Sequence, residues 1–194
     1  MTVAFVVGNG TSRQLVDLHE LKARGKIYGC NALYRDFIPD VLVSTDKPIS
    51  ETIQNSGYAS NNTMYTRHPR TGMGANPIPQ PYFGYSSGPI ALALAADADH
   101  TVIYIIGFDM GPNQNGKFNN IYADTEFYKK SSAAPTYTGN WARQMTMIMR
   151  NYNHKNFIRI IGPTTSQVQE FSKVSNLISM TMPNFLERVR DSKL

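Results

Sequence analysis

The chain is poor in cysteine: one thiol, Cys30, occurs in 194 residues. A single thiol forms no intrachain disulfide and does not hold a zinc ion alone, so we expect a reducing compartment, the cytoplasm. Long apolar runs are missing too, because Val3–Val7 and Val102–Ile106 are far shorter than the roughly 20 residues that cross a bilayer. We therefore expect no membrane span, and no basic and apolar leader precedes the first strand.

Positive charge is only slightly in excess. The sequence has 19 Lys and Arg residues against 14 Asp and Glu residues, a formal net charge of +5. The basic residues form short groups at Arg67–Arg70, Lys129–Lys130 and Arg188–Lys193, and no long basic run indicates a nucleic-acid-binding arm. The excess favours an anionic partner, which could be a nucleotide, a nucleic acid or an anionic glycan.

Short apolar strands alternate along the chain with amphipathic helices. This pattern predicts an α/β fold, a single Rossmann-like, doubly wound and mostly parallel sheet with helices on both faces, formed by residues 1–194 as one nucleotide-binding domain. The predicted strands are Val3–Val7, Lys26–Cys30, Asp40–Ser44, Thr101–Ile106 and Phe157–Ile161, with weaker ones at Thr63–Thr66 and Leu177–Met180. The predicted helices begin near Ser12, Pro48, Ile90, Gly139 and Pro183.

Two polar segments interrupt this alternation. Residues 57–85 read as a long loop rich in Asn, Gly and Pro, which either borders a functional site or is a passive surface excursion. Residues 112–138 form a second insertion, whose Asn, Lys and Tyr side chains suit a phosphate or a sugar. A lid over the site and a disordered segment are both consistent with its composition.

The strongest functional signal is the turn that follows the first strand. Val3–Val7 runs into Gly8-Asn9-Gly10-Thr11-Ser12, where glycines allow close backbone approach and a helix opening at Ser12 directs free N–H groups at an anion. A tight turn without a ligand would have the same pattern. Asp109 stands at the carboxyl end of a second central strand, where open α/β sheets bind ligands.

Five segments in order carry a family resemblance: Val6–Ser12, Tyr28–Asn31, Pro39–Asp46, Ser86–Gly88 and Tyr104–Asp109. With these segments the chain resembles the bacterial sialyltransferases of glycosyltransferase family 42, and also the related domain of archaeal-type 6-hydroxymethylpterin diphosphokinases. Order and spacing match through the first fifty residues and again from Ser86, whereas residues 57–85 have no counterpart.

The resemblance to the sialyltransferases implies a role for each matching residue. Asn9, Ser12 and Asn31 would hold a CMP-linked sugar, with Gly8 and Gly10 in the turn. The remaining nucleotide contacts implied by the resemblance are Ser86 and Ser87 near the cytidine or a carboxylate, the Gly107–Asp109 backbone at the base and ribose, and Tyr122 near the leaving phosphate. The resemblance also implies a homo-oligomer.

The general base is where the chain departs from the family. The sialyltransferases deprotonate the acceptor hydroxyl with a histidine that follows the lid, and the corresponding Thr136–Trp141 contains none. Asp109 and His68 are therefore the candidate bases. The leading hypothesis is a CMP-sugar-dependent glycosyltransferase, independent of metal and of any further cofactor, that acts on a hydroxyl of an unknown glycan or nucleic-acid acceptor.

Two alternatives remain open. The resemblance to the pterin kinases favours a magnesium-dependent pyrophosphokinase, in which Asp46 and Asp109 would be the pair of carboxylates near the metal and Asp46 would contact the nucleotide. The other alternative is a non-catalytic interaction module, in which the polar segments 57–85 and 112–138 hold a partner chain.

Overall fold

The fold is an α/β sandwich built on one eight-stranded sheet, in a computed structural model that describes residues 2–194. The strands are β1 Val3–Val7, β2 Lys26–Cys30, β3 Val41–Val43, β4 Met64–Thr66, β5 Asn76–Pro77, β6 Val102–Ile106, β7 Asn156–Ile161 and β8 Leu177–Thr181. They lie in the order β5-β4-β3-β2-β1-β6-β7-β8, and every pair is parallel. The prediction of a Rossmann-like sheet is confirmed, and the sheet is wholly rather than mostly parallel.

Helices cover both faces of the sheet. They are α1 Leu18–Lys22, α2 Lys47–Asn55, α3 Tyr58–Asn61, α4 Ser87–Asp97, α5 Gly139–Asn151 and α6 Met182–Arg190. One apolar core lies between the sheet and α4 and α5, and the other between the sheet and α1, α2, α3 and α6. β1 contributes Ala4 and Val6 to the first core and Phe5 and Val7 to the second, which explains why its sequence is continuously apolar.

The first helix differs from the prediction of one helix from Ser12. A five-residue 3-10 turn, Thr11–Leu15, comes first, and α1 begins only at Leu18. Asp17 separates the two because its carboxylate accepts hydrogen bonds from the backbone N–H groups of His19 and Glu20, as a helix N-cap does. Leu15 consequently lies 52% exposed rather than packed against the sheet.

The segment predicted as a long loop over residues 57–85 contains regular structure. It holds the helix α3 and the strands β4 and β5, and these two strands extend the sheet beyond β3. Only β4 was expected there, as a weak strand. The additional order arises because β4 pairs with β3 and β5 pairs with β4, contacts that are distant in the sequence and invisible to local periodicity.

Residues 112–138 contain no helix or strand within the described chain. The segment packs on the turn after β1, where the Ile121 N–H donates to the Asn9 carbonyl over 2.8 Å. Motion of this segment as a lid stays a prediction. Among residues 2–194, no helix combines the length and the apolar character needed to span a bilayer.

Candidate functional site

The candidate site lies at the carboxyl edge of the sheet, where β1 separates β2 from β6. The strands β2 to β5 follow one another on one side of β1, and β6 to β8 follow on its other side. Ligands of open α/β sheets bind at the point where the strand order reverses in this way. The loops after β1 and β6 meet there, since Gly8 N–H donates to Ile106 O over 2.8 Å and Gly10 N–H to Gly107 O over 2.9 Å. A Cβ on Gly8 would stand 2.6 Å from Gly107 O, so this glycine permits contact between two loops.

Asp109 is the centre of a buried hydrogen-bond network beside these loops. It is 4% exposed, and its carboxylate accepts from Ser12 N over 3.1 Å, Asn119 Nδ2 over 3.1 Å, Thr164 Oγ1 over 2.7 Å and Thr165 Oγ1 over 3.1 Å. The Ser12 hydroxyl is a fifth donor. A carboxylate has about four lone-pair sites, so these donors saturate both oxygens.

The network changes the roles predicted for Ser12, Gly10 and Asp109. The anion expected at the start of the first helical turn is the chain's own carboxylate, since Ser12 donates to it through both N–H and hydroxyl. Gly10 adjoins it so closely that a Cβ there would lie 2.5 Å from Oδ2 of Asp109. We therefore assign these residues to the loop architecture in place of the predicted ligand contacts and base, because a saturated, buried carboxylate has no site free for a proton from a substrate.

Asn9 offers an unpaired acceptor at the same edge. Its Nδ2 donates to Cys30 O over 3.1 Å, which places the carboxamide between the ends of β1 and β2. Its Oδ1 is buried without a hydrogen-bond partner in the part of the chain that the structure describes, and the residue is 8% exposed. A buried acceptor without a partner costs about 1–3 kcal/mol, so a hydrogen-bond donor that reached this oxygen would be stabilising.

Asn31 follows β2 and connects three elements. Its backbone is left-handed, with φ 51°, a conformation that asparagine tolerates well. Its Oδ1 accepts from Ser44 Oγ over 3.1 Å and from Ser87 Oγ over 3.2 Å, while Ser87 Oγ also accepts the N–H of Thr45 over 3.0 Å. Asn31 Nδ2 donates to no group within residues 2–194, so its two N–H bonds are available to a ligand.

The N-terminus of α4 adjoins Asn31 through Ser87. Ser86 precedes the helix, and its hydroxyl does not cap the first turn. The N–H groups of Ser87 and Gly88 begin the helix and have no intrahelical acceptor, so they carry its positive dipole end. Gly88 packs on the loop after β6, where a Cβ would meet the Phe108 ring at 2.7 Å. Asn31, Ser87 and the Gly107 loop are thus neighbours, and their contact with a nucleotide stays a prediction.

Three predicted residues lie outside this group. Tyr122 is buried in the insertion and accepts a hydrogen bond from Arg13 Nη2 over 3.2 Å, and burial raises the pKa of its hydroxyl to about 12. Asp46 follows Thr45 and is exposed at the start of α2, on the rim of the site. His68 is exposed after β4, three strands and therefore about 14 Å from β1. It is not positioned to act as a base beside Asn9.

Sequence reasoning missed Arg159, a buried arginine on β7. Its Nη2 donates to Phe108 O over 3.0 Å and to Ser166 O over 2.9 Å, and its guanidinium lies 5.1 Å from the centre of the Phe171 ring. Burial lowers its pKa to about 10. Arg159 thereby fixes the loop that holds Asp109. The only sequence signal was a single charge within the apolar strand β7.

The described residues contain no group of three or more His, Cys, Asp or Glu side chains arranged to hold a metal ion. The predicted carboxylate pair is divided, because Asp46 is exposed and Asp109 is buried and saturated. No family model, no curated protein and no solved structure matches this chain.

Proposed function

We propose that the protein is a nucleotide-sugar-dependent glycosyltransferase whose donor, of the CMP-linked kind, binds at the carboxyl edge of the sheet. One observation carries the proposal: the unpaired Oδ1 of Asn9, the free Nδ2 of Asn31 and the uncapped N-terminus of α4 adjoin one another at the topological switch point. An unpaired acceptor, free donors and a positive helix end together match a nucleotide's polar base, ribose and phosphate.

The electrostatics at this edge support an anionic ligand. Ser87, Asn31 and Asn9 are uncharged, and five hydrogen-bond donors stabilise the negative charge of Asp109. The N–H groups of α4 would stabilise the charge that develops on the nucleotide phosphate as the glycosidic bond breaks. These groups are fixed before the ligand arrives, since Ser87 is held by both Asn31 and Thr45.

The acceptor hydroxyl also needs a base. Asp109 has no free oxygen and His68 stands three strands away, so we assign this role to Asp46, whose exposed carboxylate lies at the rim beside Thr45. The acceptor would enter from solvent over α2, with its hydroxyl proton passing to Asp46 during transfer. The Asp46→Asn variant should bind the donor nucleotide normally and lose turnover.

Calorimetry with CMP, CDP and UDP tests the binding site. Asn31→Asp keeps the oxygen that Ser44 and Ser87 contact, but it replaces the free donors with a charge that repels phosphate. We expect at least a tenfold loss of affinity from this change, about the value of one hydrogen bond to a charged group. Asn184→Asp, an exposed position on α6, is the matched control and should bind as the unaltered protein does. Absence of heat with every nucleotide would contradict the proposal.

The magnesium-dependent pyrophosphokinase is the second candidate. It predicts that ATP binds only with magnesium and that this binding collapses in Asp46→Asn. The glycosyltransferase predicts instead that the variant loses turnover while its nucleotide affinity is unchanged. The non-catalytic module predicts no loss of function in Asn31→Asp, together with loss of partner binding when the surface of residues 112–138 is changed.

We also propose that the chain forms a homodimer through β8. The sheet ends on one side at β5, which has two residues, one of them a proline, and on the other at the five-residue β8, where Ile178 is 58% exposed. A long uncharged edge strand pairs readily with another strand, whereas a short edge with proline does not. Glu187, Arg188, Asp191 and Lys193 lie in the groove beside β8 and carry both signs of charge, so two copies related by a twofold axis could form ion pairs there.

Sedimentation tests this dimer. Ile178→Lys places a charge on the β8 edge and should yield a monomer. Met147→Lys alters a comparably exposed apolar side chain on α5 and should leave the dimer intact. A monomeric unaltered protein, or a dimer unaffected by Ile178→Lys, would refute the interface.

We propose a cytoplasmic location from the state of Cys30. The thiol is free and buried, and burial raises its pKa to about 12. It therefore stays protonated and unreactive near neutral pH, and the chain needs no oxidation to reach its fold.

A further inference from the structure

A cavity of about 460 Å³ opens at the amino edge of the sheet, opposite the proposed nucleotide site. Val3 and Lys26 begin β1 and β2 there, and His100 precedes β6. The strands between the two edges are five residues long, so the cavity lies about 17 Å from the carboxyl edge. The lining residues are Thr2, Val3, Arg24, Gly25, Lys26, His100, Ser192 and Leu194.

Basic side chains line this cavity, and no Asp or Glu side chain is among its lining residues. Arg24 donates through Nη2 to Glu20 over 2.9 Å and through Nη1 to Ser192 over 2.9 Å, which fixes its guanidinium. Its Nε is buried and has no acceptor in the described chain. Lys26 is exposed and adds a free positive charge at the rim.

His100 is the second orphaned group. The residue is 8% exposed, and its Nε2 lies 3.0 Å from the Tyr28 hydroxyl. Its Nδ1 is buried without a partner among residues 2–194. When the tyrosine hydroxyl donates to Nε2, Nδ1 carries the proton and is a free donor.

The charges around His100 favour a neutral imidazole in the absence of an anion. Burial lowers its pKa, and the ammonium groups of Lys26 and Lys155 lower it further, whereas Asp99 acts in the opposite direction. Lys155 is held in place because its Nζ donates to the carbonyls of Ala98 and His100 over 2.7 Å each. The lining of the cavity therefore combines two cationic side chains, Arg24 and Lys26, with two buried nitrogens that have no partner among residues 2–194.

We propose that this amino-edge cavity binds a small anion of the phosphate class beside Arg24, Lys26 and His100, which line it. A tetrahedral dianion offers enough acceptor oxygens for several donors at once and offsets the mutual repulsion of the surrounding cations. Free phosphate and a phosphate monoester share this chemistry, and the volume is large enough for a monoester with a small organic group. The site is separate from the nucleotide site and does not depend on its function.

The test is a titration followed by NMR of the four histidine side chains, with inorganic phosphate, sulfate and glycerol phosphate as probes. We expect saturable shifts of the His100 signals and no change at the exposed His154. Sulfate stays a dianion across the neutral range, and an anion stabilises the imidazolium form. The pKa of His100 should therefore rise when sulfate binds, and sulfate should bind more tightly as the pH falls through that pKa.

The matched variants are Lys26→Gln and Lys117→Gln, both at exposed positions that should leave the fold unchanged. Lys26→Gln should weaken the binding of phosphate at least tenfold, and Lys117→Gln should not weaken it.

The comparison of ligands identifies the anion. Tighter binding of glycerol phosphate than of phosphate identifies a monoester as the ligand, and equal binding identifies free phosphate. Equal weakening in both variants would mean an adventitious ion only and overturn the proposal, as would the absence of a saturable His100 shift. Asn31→Asp, at the carboxyl edge, should leave the His100 shifts with inorganic phosphate unchanged whether or not it weakens CMP, so the two proposals fail separately.

Discussion

The Asp109 network leads to a prediction that separates a structural role from a catalytic one. Asp109→Asn keeps the shape of the side chain but replaces an oxygen that accepts hydrogen bonds with an amide group that donates them. At least two of the five donors around the carboxylate then face another donor. We predict that the variant folds with a large loss of stability, because buried donors lose a charged acceptor.

The size of the loss follows from the geometry. Hydrogen bonds to a charged group contribute about 1.5–3 kcal/mol each, and removal of one member of a buried charged network costs about 3–5 kcal/mol. Some donors will rotate to other acceptors, so we expect about 3–4 kcal/mol at neutral pH. A typical domain is stable by about 5–15 kcal/mol, so the variant should remain folded but much less stable.

Urea denaturation followed by circular dichroism measures this loss. Asp46→Asn makes the same chemical change at an exposed position and should shift the free energy of unfolding by less than about 0.5 kcal/mol. Thr164→Val removes one donor from Asp109 and should cost about 1 kcal/mol. If Asp109→Asn were as stable as the unaltered protein but had lost activity, Asp109 would be the base that the sequence suggests and our structural assignment would be refuted.

Three further predictions concern the layers around the site. Leu21→Ala should cost about 2–5 kcal/mol by denaturation because Leu21 is fully buried, whereas Leu15→Ala should cost less than about 1 kcal/mol. Gly8→Ala should destabilise by about 1–3 kcal/mol and remain soluble, since its Cβ would press on the carbonyl of Gly107; an unchanged melting curve would contradict the close contact. Iodoacetamide at pH 9 should alkylate Cys30 at least 100-fold more slowly in the folded than in the urea-unfolded protein, because burial raises its pKa to about 12. The stability that this protonated thiol contributes is present below its unfolded pKa of about 9 and is lost as the pH rises toward 12. If the folded protein were no longer protected from alkylation near neutral pH, the burial of Cys30 would be contradicted.

The fold was predictable where local pattern and tertiary packing agree. β1 and β6 are continuously apolar because both of their faces are covered, and glycines follow both strands. The split of the first helix was not predicted, because the periodicity of Leu15, Leu18 and Leu21 fits one helix as well as two. Only the capping hydrogen bonds of Asp17 decide where α1 begins.

The candidate site was predictable in part. Asn9, Asn31 and Ser87 were singled out by the resemblance to the sialyltransferases, and the parallel sheet brings their positions to one edge. The burial of Asp109 could not be read from the sequence, because Asn119, Thr164 and Thr165 reach it from segments 10 to 56 residues away. A carboxylate at a strand end looks the same in a sequence whether it faces a substrate or its own chain.

The sequence alone was enough to establish an α/β chain in which a glycine turn follows one central strand and an aspartate follows another. Strand periodicity, helix periodicity and the conformational freedom of glycine all act within a few residues. Which of those polar groups are free for a ligand was decided by the tertiary structure. Parallel pairing brings side chains that are distant in the sequence to one edge, and there the buried donors saturate Asp109 but leave Asn9 Oδ1 and His100 Nδ1 unpaired. Hydrogen-bond saturation depends on distances of about 3 Å between such segments, and no local pattern encodes them.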